Sequence, residues 1–402
     1  MGAPAGSARS RRDRRTGDAR PPSRSGRADR AGGAGVPRLI GAARWLRPHP
    51  ALAPLGWLYL AAAQAHHALY DRGWRRPRRV SRPVVSVGNL TVGGSGKTPA
   101  VAWLASALAR RGFAVGIVSR GYGRRRDGGT LVAGREGRAV ASVRDAGDEP
   151  VWLARTARAH AVVVARDRRR GAELAIELGC EVILLDDGFQ HRRLHRDLDL
   201  LLLDARRPFG EGRPLPAGTL REPPAALLRA GLLVLTGAPE PLARRPAFLD
   251  HPELPEPLRD LLAAVPRDRR PPVTAAALVP VAVRLPDGGV RDPSWLTGRP
   301  VVAVSGIARP ERFARTLERL GADLREHLAW PDHHWFTEAD AERIAAAADA
   351  AGGPLVITTS KDAVRWPEKA PAPAVLEVEM RCGAERSVLE LVERAVSRAG
   401  AR

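Results

Sequence analysis

This sequence predicts an α/β fold built on a doubly wound, mostly parallel sheet, and three observations lead there. From position 84 onward, short apolar runs of strand length alternate with amphipathic segments of helix length. Each run ends in a polar or glycine-rich cluster, as ligand loops do at the carboxyl ends of parallel strands. The first run, Val84-Val85-Ser86-Val87, opens into a loop holding Gly88, Gly93, Gly94 and Gly96 and closes on Lys97-Thr98.

Strand, glycine loop, Lys-Thr and helix form the setting of a phosphate-binding P-loop, so the fold class expected is P-loop NTPase-like. Thr91, Val92, Gly93, Gly94, Ser95, Gly96, Lys97 and Thr98 are the expected cradle. Glycines let backbone N–H groups point at phosphate oxygens, and the helix N-terminus adds partial positive charge. Lys97 reaches the outer phosphates, and the Thr98 hydroxyl is placed for Mg²⁺. The usual spacing would put its first glycine at position 91, where this chain has Thr91.

The remaining elements follow in order. Ala100 to Arg111 has Val101, Leu104, Ala105 and Leu108 on one helical face, and Phe113 to Ser119 is a second strand. A helix over Asp148 to Ala159, a strand over Ala161 to Ala165 and a helix over Asp167 to Leu178 come next. Val182 to Leu185, Leu198 to Leu203 and Leu232 to Leu235 read as strands. Residues 237–298 are proline-rich and irregular, with a hairpin turning at Asp287-Gly288-Gly289. A second α/β unit has strands at Val301 to Val304, Leu355 to Thr358 and Val375 to Glu379. Its helices are Arg309 to Leu320, Glu338 to Ala350 and Glu385 to Ala399. The expected organisation is a basic disordered arm (1–48), a membrane-associating helix region (49–80) and a kinase-like core (81–270). A linker or hinge of β-hairpin type (271–298) then joins a smaller α/β domain (299–402).

Charge is unevenly spread. The net charge is +21, and residues 1–47 hold twelve arginines against three aspartates and no glutamate. That arm is rich in small residues and has almost no large apolar ones, a composition that favours disorder. With only 4% aromatic residues and no binding module, the high charge does not predict a nucleic-acid partner. Cys180 and Cys382 make no disulfide framework, which suits a reducing compartment, and no signal peptide is evident. Ala51 to Tyr70 is apolar but interrupted by Pro54, Gln64, His66 and His67. It reads either as a helix lying on an anionic bilayer, flanked by Arg72, Arg75, Arg76, Arg78 and Arg79, or as a core helix. The chain has three lysines (Lys97, Lys361, Lys369), one asparagine (Asn89) and two glutamines (Gln64, Gln190). In so biased a chain a retained rare residue marks a place to look: Lys97 and Asn89 fall in the glycine-loop stretch, and Gln190 and Lys361 mark two further places.

Phosphoryl transfer needs a cradle, a metal held by carboxylates, a base for the acceptor hydroxyl and cations for developing charge. Asp186-Asp187 end a hydrophobic strand as a Walker-B-like metal site would, against the reading of a solvated turn. Asp148 is either a base or a helix N-cap. Asp332-His333-His334 and Thr359-Ser360-Lys361-Asp362 are further candidates, the latter as an anion site or a helix cap.

Taken together the motifs resemble the tetraacyldisaccharide 4′-kinase family of lipid A biosynthesis. The matching pieces are SVGNLTVGGSGKTP (86–99), SRGYGR (119–124), GDEP (147–150) and DDGFQHRRL (186–194). DARRPFGEGRPLPAGTLREP (204–223), DHH (332–334) and SKDAVR (360–365) follow in the family's order, and Thr91 belongs to its GNLTVGG pattern. The resemblance implies transfer of the ATP γ-phosphate to the 4′-hydroxyl of an acylated glucosamine disaccharide 1-phosphate, at the cytoplasmic face of the inner membrane. It also implies Asp148 as base assisted by His333, with Lys97 and Thr98 serving ATP and Mg²⁺. Asp186, Asp187 and Glu222 would be metal carboxylates, and Arg221 would lie near the transferring phosphate. The alternative is another P-loop NTPase, such as a nucleotide-dependent metallochaperone or a ligase, which would not need the DHH motif or the apolar first helix.

Overall fold

Continuous apolar runs make strands that are buried on both faces, and in the computed structural model such strands form the centre of one fifteen-stranded sheet. Residues 1–2, 38–39, 50–124 and 129–400 are described. Apart from its first two residues and 38–39, the basic arm expected over 1–48 lies outside them.

The strands are β1 (Arg38–Leu39), β2 (Val84–Asn89), β3 (Val115–Ser119), β4 (Leu131–Arg135), β5 (Arg138–Ala139), β6 (Ala161–Val164), β7 (Val182–Asp186), β8 (Leu198–Asp204) and β9 (Leu232–Thr236). They continue as β10 (Val273–Arg284), β11 (Val290–Arg291), β12 (Pro300–Ser305), β13 (Asp323–Ala329), β14 (Leu355–Thr359) and β15 (Ala374–Cys382). Helices are α1 (Ala53–Asp71), α2 (Lys97–Ala109), α3 (Val143–Ala146), α4 (Asp148–Thr156), α5 (Arg168–Glu177), α6 (Glu240–Ala243), α7 (Glu256–Ala263), α8 (Pro310–Arg319), α9 (Glu338–Ala350) and α10 (Glu385–Gly400). Across the sheet the order is β1-β13-β12-β14-β15-β10-β9-β8-β2-β7-β3-β6-β4-β5, with β11 beside β10.

Alternation along the strands explains the double winding. Val85, Val87, Ile117 and Leu184 point into a core with Val101, Leu104 and Leu108 of α2 and Val388 and Val392 of α10. Val84, Val118, Ile183 and Leu185 point the other way, onto Ala172 and Ala175 of α5. Strand β2 lies between β7 and β8, parallel to both, and β3 continues the parallel set beyond β7. The carboxyl ends of these strands therefore share one edge, which carries Asn89, Ser119, Asp186 and Asp204.

The segment expected to be irregular is where the structure departs most from the sequence reading. Residues 237–298 contain α6, α7 and β10, the longest strand. Val273 to Ala276 pair parallel with β9, and Ala276 to Arg284 pair antiparallel with β15. Pro280, which argues against a strand, sits at the register shift between Pro280 and Ala282, where a missing N–H is tolerated. The expected hairpin is present: Arg284 pairs with Val290, and Leu285 N–H donates to the Gly289 carbonyl at 2.7 Å. Strands β12 and β14 run parallel to β15 and hence back toward the first half. Their carboxyl ends face those of β2, β3 and β7 across a cleft. Strand β13 was missed because its sequence, DLREHLA, carries four polar residues. The antiparallel β4–β5 edge was missed too.

Gly88 lets β2 pass against Phe189, since a Cβ there would meet the Phe189 Cβ at 2.5 Å. Gly88→Ala should lower the unfolding free energy by roughly 1–3 kcal/mol through overpacking. Urea titration would read this as an earlier midpoint at unchanged slope; an unmoved midpoint would contradict the close approach.

Candidate active site

The glycine loop is shaped by its backbone. Gly96 caps α2 with φ 80, and Gly93 has φ 105, both left-handed values that glycine adopts without strain. Thr91 needs no such freedom. Its backbone is bridged to Leu220, and Val92 N–H donates to the Thr219 carbonyl at 2.8 Å. The lone asparagine braces the turn: Asn89 Nδ2 donates to the Thr91 carbonyl at 2.5 Å and to Ser95 Oγ at 2.8 Å. Gln190 Nε2 donates to the Asn89 carbonyl at 2.9 Å. The N-terminus of α2, Lys97 and Thr98 thus open at the carboxyl end of β2, with the tip of the loop at Gly94 close beneath Ala308 of the second half.

Asp148 is the first residue of α4, but the cap position is Gly147, which offers no side chain. The Asp148 carboxylate accepts from the Glu149 N–H at 2.9 Å and gathers its other partners from the other half of the sheet. His333 Nδ1 donates to it, 3.0 Å from each oxygen, and Arg365 Nη1 donates at 2.5 Å. The other Arg365 nitrogen, Nη2, donates to the Gly306 carbonyl at 2.6 Å and to Asp362 at 2.5 Å. His333 itself has φ 60, an uncommon value for a non-glycine residue, and its N–H donates to the Gly306 carbonyl at 3.2 Å. His334 goes elsewhere, to Asp340 at 2.8 Å beside α9. One histidine of the pair serves the cleft.

Burial opposes ionisation of Asp148, yet the His333 hydrogen bond, Lys361 and Arg365 hold its carboxyl at about 2. Burial likewise lowers His333, but the bond to Asp148 outweighs it and raises the imidazole above its ordinary value. The mutual hydrogen bond favours the charged form of each. Next along the helix, Glu149 Oε1 accepts from Thr98 Oγ1 at 3.1 Å and from Lys361 Nζ at 3.0 Å.

The remaining acids divide into two kinds. Asp186 is buried at the end of β7 and accepts from Ser119 Oγ at 3.1 Å. Burial first, then the carboxylates of Glu149 and Asp187, push it up to about 7. A divalent cation would relieve that crowding. Asp187, at φ 54, is taken up by Arg221 at 2.8 Å and lies 3.8 Å from Lys97. Glu222 is buried against Arg229 at 2.7 Å and His67 of α1 at 3.3 Å, not beside Thr98. Among the described residues no three His, Cys, Asp or Glu side chains form a metal cage of their own. Magnesium in phosphoryl-transfer sites needs only one or two carboxylates plus phosphate oxygens, and Thr98, Asp186 and Glu149 fit that requirement.

The family model Tetraacyldisaccharide-1-P 4′-kinase (LpxK) matches residues 48–397. The chain belongs to this family. It is 45% identical over 340 residues to the tetraacyldisaccharide 4′-kinase of Anaeromyxobacter dehalogenans, covering 80% of this chain and 84% of that one. The counterpart in Geobacter metallireducens is 42% identical over 319 residues, covering 78% and 87%. Among solved structures, LpxK from Aquifex aeolicus, described as an "apo" form in complex with ATP, superposes with a TM-score of 0.65 at 32% identity. That match covers 86% of this chain and 98% of the other.

The sequence reading thus named Asp148 and His333, which meet, and Lys97, Asp187 and Arg221, which also meet. It gives no role to Glu149 or Arg365, and reads Lys361 only as part of an anion site or a helix cap. Their signals lay in the motifs GDEP and SKDAVR and in the rarity of lysine.

Arg365→Met would leave buried Asp362 without its cationic partner and take one of the cations from Asp148, so it should cost roughly 3–5 kcal/mol of stability at neutral pH. Because Asp148 ionises below its ordinary value, its stabilisation is complete above about pH 4 and is lost as pH falls toward about 2. Chemical denaturation between those limits should show a steeper acid loss in the native chain than in Asp148→Asn; identical slopes would contradict the low value.

Proposed function

We propose that this chain transfers the γ-phosphate of ATP to the 4′-hydroxyl of an acylated glucosamine disaccharide 1-phosphate, within lipid A biosynthesis. The observation that carries this reading is Asp148, on the P-loop's own edge of the sheet, paired with His333 from the opposite half, in a chain of the 4′-kinase family. A sugar hydroxyl is a poor nucleophile near neutral pH. In a loose phosphoryl-transfer transition state the base chiefly orients that hydroxyl and takes its proton late, a task open to a carboxylate that stays ionised. His333 aims and polarises Asp148, which itself takes the proton.

Backbone N–H groups of residues 91–96 and the N-terminus of α2 would hold the phosphates, and Lys97 would draw the γ-phosphate toward the dyad. Arg221, paired with Asp187, is placed to meet charge developing there. Thr98 and Asp186, with Glu149 beside them, would hold Mg²⁺, which would supply positive charge to offset that of the phosphates. Asp187 and Glu222, also expected as metal carboxylates, are paired with Arg221 and Arg229. We further read residues 81–270 and 299–402 as two lobes that close on the nucleotide, with 271–298 as the connection between them.

Helix α1 supports work at a membrane surface. Gly56, His67 and Tyr70 dock one face on the core, while Leu55, Trp57, Leu58 and Tyr59 are exposed. Among the described residues no helix is long and apolar enough to cross a membrane. An exposed apolar face beside basic residues is what an interfacial helix presents to an anionic leaflet.

Purified protein with detergent-dispersed acceptor lipid and ATP·Mg²⁺ should yield the bisphosphorylated lipid. ATP hydrolysis without lipid product would overturn the reading. Asp148→Asn should lower kcat by roughly 100- to 10,000-fold while nucleotide affinity stays put. In flotation with anionic vesicles, Trp57→Glu/Leu58→Glu should detach a chain that otherwise floats; equal flotation would dismiss α1 as the contact.

A further inference from the structure

The turn Thr359–Arg365 closes β14 and carries two cations into the cleft, of which only Arg365 makes contact with the dyad itself. Lys361 is one of three lysines among the 65 cationic residues of the chain. Its Nζ lies 3.0 Å from Glu149 Oε1 and 3.6 Å from Asp332 Oδ1. Asp332 immediately precedes His333, and Glu149 immediately follows Asp148, so one ammonium ties together the two segments that supply the dyad. The same Glu149 oxygen accepts from the Thr98 hydroxyl. The chain of contacts thus runs from the second half of the sheet, through Lys361 and Glu149, to the P-loop threonine.

We propose that Lys361 is a positioning residue for phosphoryl transfer, acting through Glu149 and Asp332 rather than on the substrate. This rests on the kinase reading above. The physical case is local repulsion. Glu149 stands beside the carboxylates of Asp148 and Asp186, both of which disfavour an ionised neighbour, and Lys361 is the cation that anchors it. Without Lys361, Glu149 would turn toward water and release Thr98, while Asp332 would free the loop that holds His333. A compact ammonium with three donors can serve two carboxylates on different segments at once, which a planar guanidinium does only in a fixed fork.

The test is a double-mutant cycle on the full chain, using Lys361→Met, Lys361→Arg, Glu149→Gln and the Lys361→Met/Glu149→Gln pair. Lipid phosphorylation is followed with ATP and acceptor varied separately, and thermal midpoints serve as a folding control. Lys361→Met should lose roughly 100-fold in kcat, as small misplacements of reacting groups do, with little change in the KM for ATP. Lys361→Arg should recover part of that loss. The double variant should be no slower than Glu149→Gln within about twofold, because the two residues act as one unit. Lys361→Met keeping kcat within about threefold, losses that multiply in the double variant, or a raised KM for ATP at normal kcat would each overturn the proposal. A native chain that makes no phosphorylated lipid would overturn the kinase reading and this one with it. An active native chain with an unaffected Lys361→Met would overturn only the role of Lys361.

Discussion

One strand constrains everything else in this molecule. Val273–Arg284 runs parallel to its neighbour at one end and antiparallel to its neighbour at the other. It can do so because it is long enough to outrun β9 and be taken over by β15. The strands of the second half therefore point back at those of the first, and two sets of carboxyl ends meet. In an open parallel sheet, ligand loops collect at one such edge; here two edges oppose each other. The P-loop, Asp148 and Asp186 come from one, and His333, Lys361 and Arg365 from the other.

What joins the edges is charge. Asp148 reaches His333 and Arg365, Glu149 reaches Lys361, and Asp204 reaches Arg309 and Arg312 of α8. Each first-half acid finds a second-half cation. Such pairs gain strongly from proximity but give up hydration, so they specify geometry more than they add stability. Apolar packing supplements them: Val364 of the turn after β14 packs against the first-half core, and α10 returns to lie against α2, fastening the end of the chain to the first half.

Much of this was legible in the sequence. Buried parallel strands announce themselves as unbroken apolar runs, and those of the first half were placed within a residue or two. The glycine loop was readable because its chemistry demands glycine at special backbone angles. Strand β10 was hidden by its alanines and Pro280, and β13 by its charges, since both depend on tertiary neighbours rather than on local pattern. Within the site, Asp148 and His333 were visible through family motifs. Their partners were not, because residues 149, 332 and 361 become neighbours only once β10 has turned the second half around. Glu222 shows the converse: a carboxylate in a recognisable motif whose arginine partner, Arg229, lies seven residues on and gave no signal.

The polar seam has a bearing on how the cleft is filled and emptied. On the kinase reading, side chains that water also solvates well could part along this seam, and the ions so released would find new partners in the phosphates that enter. The β10 connection keeps the two edges tethered during that exchange. Nucleotide would then come and go by a trade of counterions, while the fold that brings Asp148 and His333 together stays whole.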